Sequence, residues 1–259
     1  MQLPTFNNVR VFILLCVLGF FSFLALHQSF HTRSWVKPLE VVVLPVNGDE
    51  HIDTDAYINS LSNRNLQEIE AWFKRESSRY DLALEKPVEV RLGPQVFSVP
   101  PAFPENPNFI SVVFWGLRFR LWAFLNTPDV DSSLTLVRMF VVYHQGEDNI
   151  PLKHSLGMKK GLLGLVHAYA LSHQTAQNNI VIAHEMLHVV GAIDKYEKSG
   201  APIYPIGYAN PQRVPLFPQS RAEIMAGRIP ASHTRAYMAN SLNRVIINEY
   251  TANEINWKK

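Results

Sequence analysis

Cysteine is nearly absent from this 259-residue chain: Cys16 is the single one. One thiol excludes an internal disulfide, so any part working in an oxidising compartment is held by a packed core and by whatever metal it binds. Neither sign of charge prevails. Residues 1–26 hold Arg10 and no acidic side chain, which leaves 23 of the 24 Lys and Arg against 22 Asp and Glu in the remainder. A chain so close to neutral carries no nucleic-acid footprint, so no nucleic-acid partner is expected. Internal repeats and low-complexity tracts are lacking too, which excludes solenoids and arrays. What remains is an ordinary globular composition, 47% hydrophobic and 18% charged, long enough for one large domain or two small ones.

The one long apolar run is Val11–Leu26, sixteen residues without a charge, preceded by Arg10. At ~1.5 Å per residue it spans about 24 Å, a little short of a bilayer core of ~30 Å. No small-x-small cleavage site follows, since Phe23 stands two before Ala25. An uncleaved N-terminal membrane anchor over 1–26 is therefore the favoured reading, and a cleaved signal segment the alternative. Either places the rest of the chain outside the cytoplasm, in the periplasm or cell envelope, or secreted if the segment is removed. Leu14-Leu15-Cys16 lacks the small residues of a lipoprotein site, so Cys16 reads as apolar filler. Residues 27–38 read as a linker, and His27 with His31 as solvated linker residues in preference to a second metal site.

From Leu39 to the C-terminus the pattern predicts one domain. Leu39–Val46 is a β-branched apolar run, the mark of a buried strand. Asp53 to about Tyr80 spaces its apolar residues as one long amphipathic helix, and Lys86–Leu92 alternates as a strand does. Together they make a βαβ opening. Five prolines then mark Pro94–Pro107 as an extended loop. Phe109–Leu125 is a helix by length and a strand by its alternating Leu117, Phe119 and Leu121; simple burial is favoured over contact with the membrane. Leu134–Tyr143 is a clearer strand, and Gly161–Leu171 a further segment just ahead of the functional stretch, with Thr175 as a cap for the next helix. Prolines from Pro202 to Pro218 punctuate an irregular region, and Ser232 to about Glu254 reads as a closing helix.

The functional stretch is residues 178–196. His184 and His188 stand four apart in a run of helical periodicity, so both imidazoles project from one face, at the spacing that lets two neutral histidines share a zinc ion. Glu185, beside the first, is placed to take a proton from water at the open coordination position. Gly191 supplies a left-handed helix stop, after which the chain turns back and brings Asp194 to where a third ligand is needed. Glu197 and Glu223 remain open as rivals for that position.

His-Glu-x-x-His-x-x-Gly-x-x-Asp over residues 184–194 resembles the metzincin zinc peptidases, in the snapalysin-like variant with aspartate as third ligand. Tyr196 completes the Asp-x-Tyr ending of that group, and Glu223–Gly227 is similar to its Met-turn, with Met225 as the methionine. The resemblance covers roughly 160–227. It implies an α+β fold: an upper subdomain of twisted mixed sheet with two long helices, and an irregular lower subdomain ending in a C-terminal helix. It also implies Zn²⁺ as cofactor and a peptide or protein as substrate. Leu165–Ala170 is similar to the family's cleft-edge strand; His167 within it reads as structural rather than as a ligand. Tyr196 is the first candidate for stabilising the oxyanion, with Tyr204, Tyr208 and Arg228 as alternatives, because Gly227 occupies the position where some members carry a tyrosine. The expected activity is peptide-bond hydrolysis with Glu185 as general base. A non-catalytic, zinc-stabilised binding or scaffolding domain is the competing class, and retention of Glu185 argues against it.

Overall fold

The structure, a computed structural model, describes residues 6–128, 135–146, 155–158 and 161–258. It is a mixed α+β arrangement built on a five-stranded mixed sheet. Strands β1 (Leu39–Asn47), β2 (Val88–Leu92), β3 (Val137–His144), β4 (Leu156–Met158) and β5 (Leu163–Tyr169) lie in the order β2-β1-β3-β5-β4. All neighbours are parallel except the β4–β5 pair. Leu134, at the start of one expected strand, lies outside the described residues.

The unbroken apolar run of β1 follows from coverage on both faces. Val41 and Val43 point into one core, which includes Ile69, Trp72, Phe73 and the inner face of the helix carrying the histidines. Val42, Leu44 and Val46 point into a second, with Phe119 and Phe140. Helices α2 (Ile52–Ser60) and α3 (Gln67–Ser78) cover the first face and α4 (Phe109–Asn126) the second.

The single helix expected over 53–80 is two helices and a 3₁₀ turn at Asn63–Leu66. Ser62 and Asn65 form a reciprocal cap there, so a new helical start interrupts the periodicity. Phe109–Asn126 is helical, capped by Asn108, whose side chain accepts the Ser111 amide at 2.9 Å. Its burial is one-sided: Trp115, Phe119 and Ala123 pack inward while Phe109, Phe114 and Phe124 are exposed.

Helix α1 (Phe6–Arg33) runs through much of the expected linker. Its end is clamped to the C-terminal region: the Trp35 indole donates to Ile255 O at 2.6 Å and meets the Trp257 ring edge-on at 5.4 Å.

The closing helix expected from Ser232 shrinks to α6 (Glu249–Glu254). The rest of that span holds β8 (Ala236–Met238), paired with β7 (Arg228–Pro230), and β9 (Val245–Ile246), paired with β6 (Ala222–Glu223). Ser232 caps a turn, accepting from the Thr234 and Arg235 amides, and Asn248 is the helix cap, accepting from Thr251 N at 3.0 Å. Side chains that bind their own backbone dissolve the helical pattern.

Candidate metal centre

Helix α5 (Thr175–Val189) carries both histidines. Thr175 is its first residue rather than its cap, and Asn178 fixes its start against β5, donating to Tyr169 O at 2.9 Å. The helix stops as the glycine predicts. Gly191 sits at φ +107°, its amide bonds His188 O at 3.0 Å, and the Ala192 amide bonds Leu187 O at 3.0 Å. This Schellman closure reverses the chain within three residues of Asp194.

The reversal brings three side chains together. One oxygen of Asp194, Oδ1, lies 3.2 Å from His184 Nε2 and 3.1 Å from His188 Nε2. The other ring nitrogens are committed: Nδ1 of His184 is 2.9 Å from Ile224 O, and Nδ1 of His188 is 2.9 Å from Ala192 O. A carbonyl only accepts, so both Nδ1 atoms carry hydrogen and each Nε2 keeps its lone pair in the neutral ring. A carboxylate oxygen between two such nitrogens requires either two added protons or a cation. The ligand atoms of this trio lie within 4.8 Å of one another. A tetrahedral zinc with bonds of ~2.0–2.2 Å spaces its ligand atoms by roughly 3.3–3.6 Å, so the residues fit such an ion.

Glu185 supplies the second observation. Its residue is 4% exposed, and Oε2 has no hydrogen-bond partner among the described residues. Burial raises its carboxyl above the usual range, against the pull of His184 and His188. Burial also opposes charge on His184, but the Asp194 hydrogen bond, Glu185 and the Ile224 carbonyl outweigh it and raise the imidazole to about 8. Asp194 resists its own desolvation and is held well below the ordinary carboxylate range by the two imidazoles. A buried carboxyl raised in this way, with one unpartnered oxygen beside paired imidazoles, is the kind of group found at functional sites.

Tyr196 is partly exposed, and its hydroxyl is pushed up to about 12 by burial, with the charges of Asp194 and Glu185 adding to it. Its backbone bridges Pro202. Of the alternatives, Tyr204 donates to Pro211 O at 3.5 Å and Tyr208 is buried beside it. Arg228 and Tyr208 both line a cavity of ≈ 570 Å³ with Gly200, Pro202 and His233.

The rival ligands are placed elsewhere. Glu223 is fully buried and accepts from the Met225 and Ala226 amides and the Thr251 hydroxyl. Glu197 closes a turn through its backbone bond to Ala201. His167 pairs with His144, Nδ1 to Nε2 at 2.9 Å, outside the trio. Met225 is fully buried, and its carbonyl receives the Lys195 amide at 2.9 Å, which joins that segment to the residue after Asp194.

A short strand not expected from the sequence lies beside the segment likened to a cleft edge. Leu165–Tyr169 of that segment lies in β5, between β3 and β4, and β4 pairs with β5 only over Leu163–Leu165. A three-residue strand has no periodicity to detect, and sequence reasoning missed it. Its centre is Gly157, where any Cβ would collide with Glu185 O and His188 Cβ. Gly157 therefore lets the strand lie directly on α5, and its amide favours the ionised form of Glu185.

No family model matches the chain, and no curated protein matches it.

Proposed function

We propose that this chain is a zinc-dependent endopeptidase of metzincin type, with His184, His188 and Asp194 as ligands and Glu185 as general base. The observation that supports it best is the shared Asp194 oxygen at 3.2 and 3.1 Å from two Nε2 atoms, with a buried, unpartnered Glu185 oxygen beside them. Zinc held there would polarise a scissile carbonyl and bring the pKa of water toward neutrality.

The chain's own groups do the rest. Glu185 takes a proton as water adds to the carbonyl carbon, then delivers it to the amine as the C–N bond breaks. Its raised pKa suits both halves of that exchange. Tyr196 is the first candidate to donate to the oxyanion. β4, the outermost strand of the sheet among the described residues, offers main-chain hydrogen bonds to an extended peptide, which gives sequence-tolerant affinity. Met225 forms the floor beneath the ligands, in the manner of a Met-turn.

Helix α1 anchors the enzyme in the envelope membrane with the catalytic domain extracytoplasmic. Its apolar side chains from Val11 to Leu18 are exposed over the whole helical circumference.

The test is the full chain in detergent, assayed on an unfolded protein. One zinc per chain, hydrolysis abolished by a chelator, and a Glu185→Ala variant that keeps zinc but loses hydrolysis are expected. Wild-type turnover in Glu185→Ala, or a zinc-loaded chain that never cuts, overturns the proposal.

A further inference from the structure

Helix α4 is apolar on the wrong side. Ten of its residues are exposed, and nine of those ten are apolar; Arg118 is the exception. A helix covering one face of a sheet in water turns charged and polar residues outward. Here Phe109, Ile110, Phe114, Leu117, Leu121 and Phe124 are each at least 60% exposed. The patch continues onto the preceding loop, where Phe97 is 88% exposed. That loop is seated on α4, since Ser98 accepts from the Trp122 indole at 3.0 Å and Pro101 O from the Trp115 indole at 2.9 Å. Contiguous apolar surface of this extent marks a place where something other than water sits.

The sheet decides what that is. Strands β1 and β3 are parallel neighbours, with Val41 opposite Val137. The chain entering β1 from α1 and the chain entering β3 from α4 therefore arrive at the same end of the sheet. Arg120, in the second half of α4, lies against Gly161 just ahead of β5, and β5 starts level with β3 (Leu163 opposite Arg138), so this part of α4 lies at the end of the sheet where the apolar α1 joins the domain. That junction is no loose tether. The Arg33 guanidinium donates to Glu254 O at 2.5 Å, and the Trp35 indole is fixed to Ile255 O. A bilayer that holds α1 is thus held against the domain at this end.

We infer that the outer face of α4, with the loop tip at Phe97, is a second membrane-docking surface that lies in the bilayer interface beside the α1 anchor. The inference rests on the proposed anchoring by α1. Ordinary interfacial helices face the lipid with one side and water with the other; here the side away from lipid is packed on the sheet. Arg118, alone among the exposed apolar residues, reaches the headgroup layer. Docking at two points fixes the domain's orientation on the membrane, and with it the direction from which protein substrates reach the cleft.

The full chain, in vesicles of phosphatidylcholine and phosphatidylglycerol, tests this with an environment-sensitive dye. The dye is placed on the native Cys16, or, in a Cys16→Ser background, on Leu117→Cys, Phe124→Cys or the remote control Val214→Cys, a position 93% exposed. Interfacial side chains sit ~5–10 Å into the headgroup and acyl boundary, so nitroxide-bearing acyl chains should quench positions 117 and 124 about twofold. Position 16 should be quenched as well and position 214 left unchanged. Quenching at 16 without quenching at 117 and 124 overturns the inference and leaves the anchor standing. Absence of quenching at all three overturns both. Dye at 117 and 124 that is shielded from water yet not quenched by lipid overturns it in favour of a second copy of the chain.

Discussion

The ammonium of Lys195 meets the carboxylate of Glu254 at 2.6 Å, with the lysine side chain fully buried. Lys195 also donates to Ile193 O at 3.1 Å, and Glu254 accepts the Ile193 amide at 3.1 Å. The two residues flanking Asp194 are thus fastened to α6, the same helix that receives Arg33 at the end of α1. Asp194 is held by a lock that begins at the end of α1 and closes on the residues to either side of it.

Breaking the lock is expected to disturb both stability and metal binding. Glu254→Ala strands a buried ammonium, and removing one partner of a buried pair costs about 3–5 kcal/mol. Groups that orient ligands typically control metal affinity by about 10–100-fold. Glu254→Ala should therefore lower the unfolding midpoint and weaken zinc affinity in competition with a chromophoric chelator. Unchanged zinc affinity in a folded variant would show that Asp194 is placed by the Gly191 turn alone.

The ligands themselves give a sharper expectation. Among the described residues Asp194 Oδ1 lies near both Nε2 atoms, so Asp194→Ala should leave a two-imidazole site that loses zinc on dialysis. Glu185→Gln should retain one zinc and lose the proton-transfer contribution, typically 10²–10⁴-fold in kcat. Zinc analysis together with initial rates on a quenched peptide separates the two effects.

How much of this was open to a reader of the sequence depends on how local each determinant is. The histidine pair, the glycine stop and the returning aspartate lie within eleven residues, and each acts through its own backbone, so the trio is legible. The buried strand β1 is legible as a β-branched run, whereas β5, with Val166 as its one β-branched residue, is legible only through the resemblance of Leu165–Ala170 to a cleft-edge strand. The edge strand β4 is not, because three residues beside a single glycine carry no pattern and its position depends on contact with α5. The Lys195–Glu254 pair spans 59 residues and leaves no trace in composition. The expected C-terminal helix failed because Ser232, Ser241 and Asn248 spend their side chains or positions on turns and caps that helical spacing does not register.

Stability should carry a pH dependence traceable to Glu223. Burial outweighs its bonds from Thr251 and the Met225 amide and the nearby Lys195, and raises the carboxyl from 4.5 to about 7. Between those values the folded chain keeps a proton that the unfolded chain has released. Its contribution is fully present below pH 4.5 and is lost as pH rises through 7, on the order of 3 kcal/mol in total. Glu223→Gln removes the titration, so the stability difference between wild type and variant, measured by urea unfolding, should shrink steadily across that window in wild type's disfavour. A difference independent of pH would place the folded carboxyl in its ordinary range.

Two glycines should respond to alanine with opposite signs. Gly157 in β4 faces the backbone of Glu185 and Cβ of His188, neither of which can step aside without moving α5. Gly157→Ala is expected to cost about 1–3 kcal/mol by overpacking and to reduce hydrolysis, because it lifts the edge strand off the histidine helix. Gly116 lies inside α4, where the new methyl would meet Arg120 Nη1 at 3.0 Å, the end of a flexible side chain. Alanine is favoured over glycine in a helix interior by about 1 kcal/mol, so Gly116→Ala should be neutral to stabilising. Thermal unfolding and peptide hydrolysis on both variants check the contrast. Equal, mild effects would mean that β4 does not rest on α5 as closely as Gly157 permits.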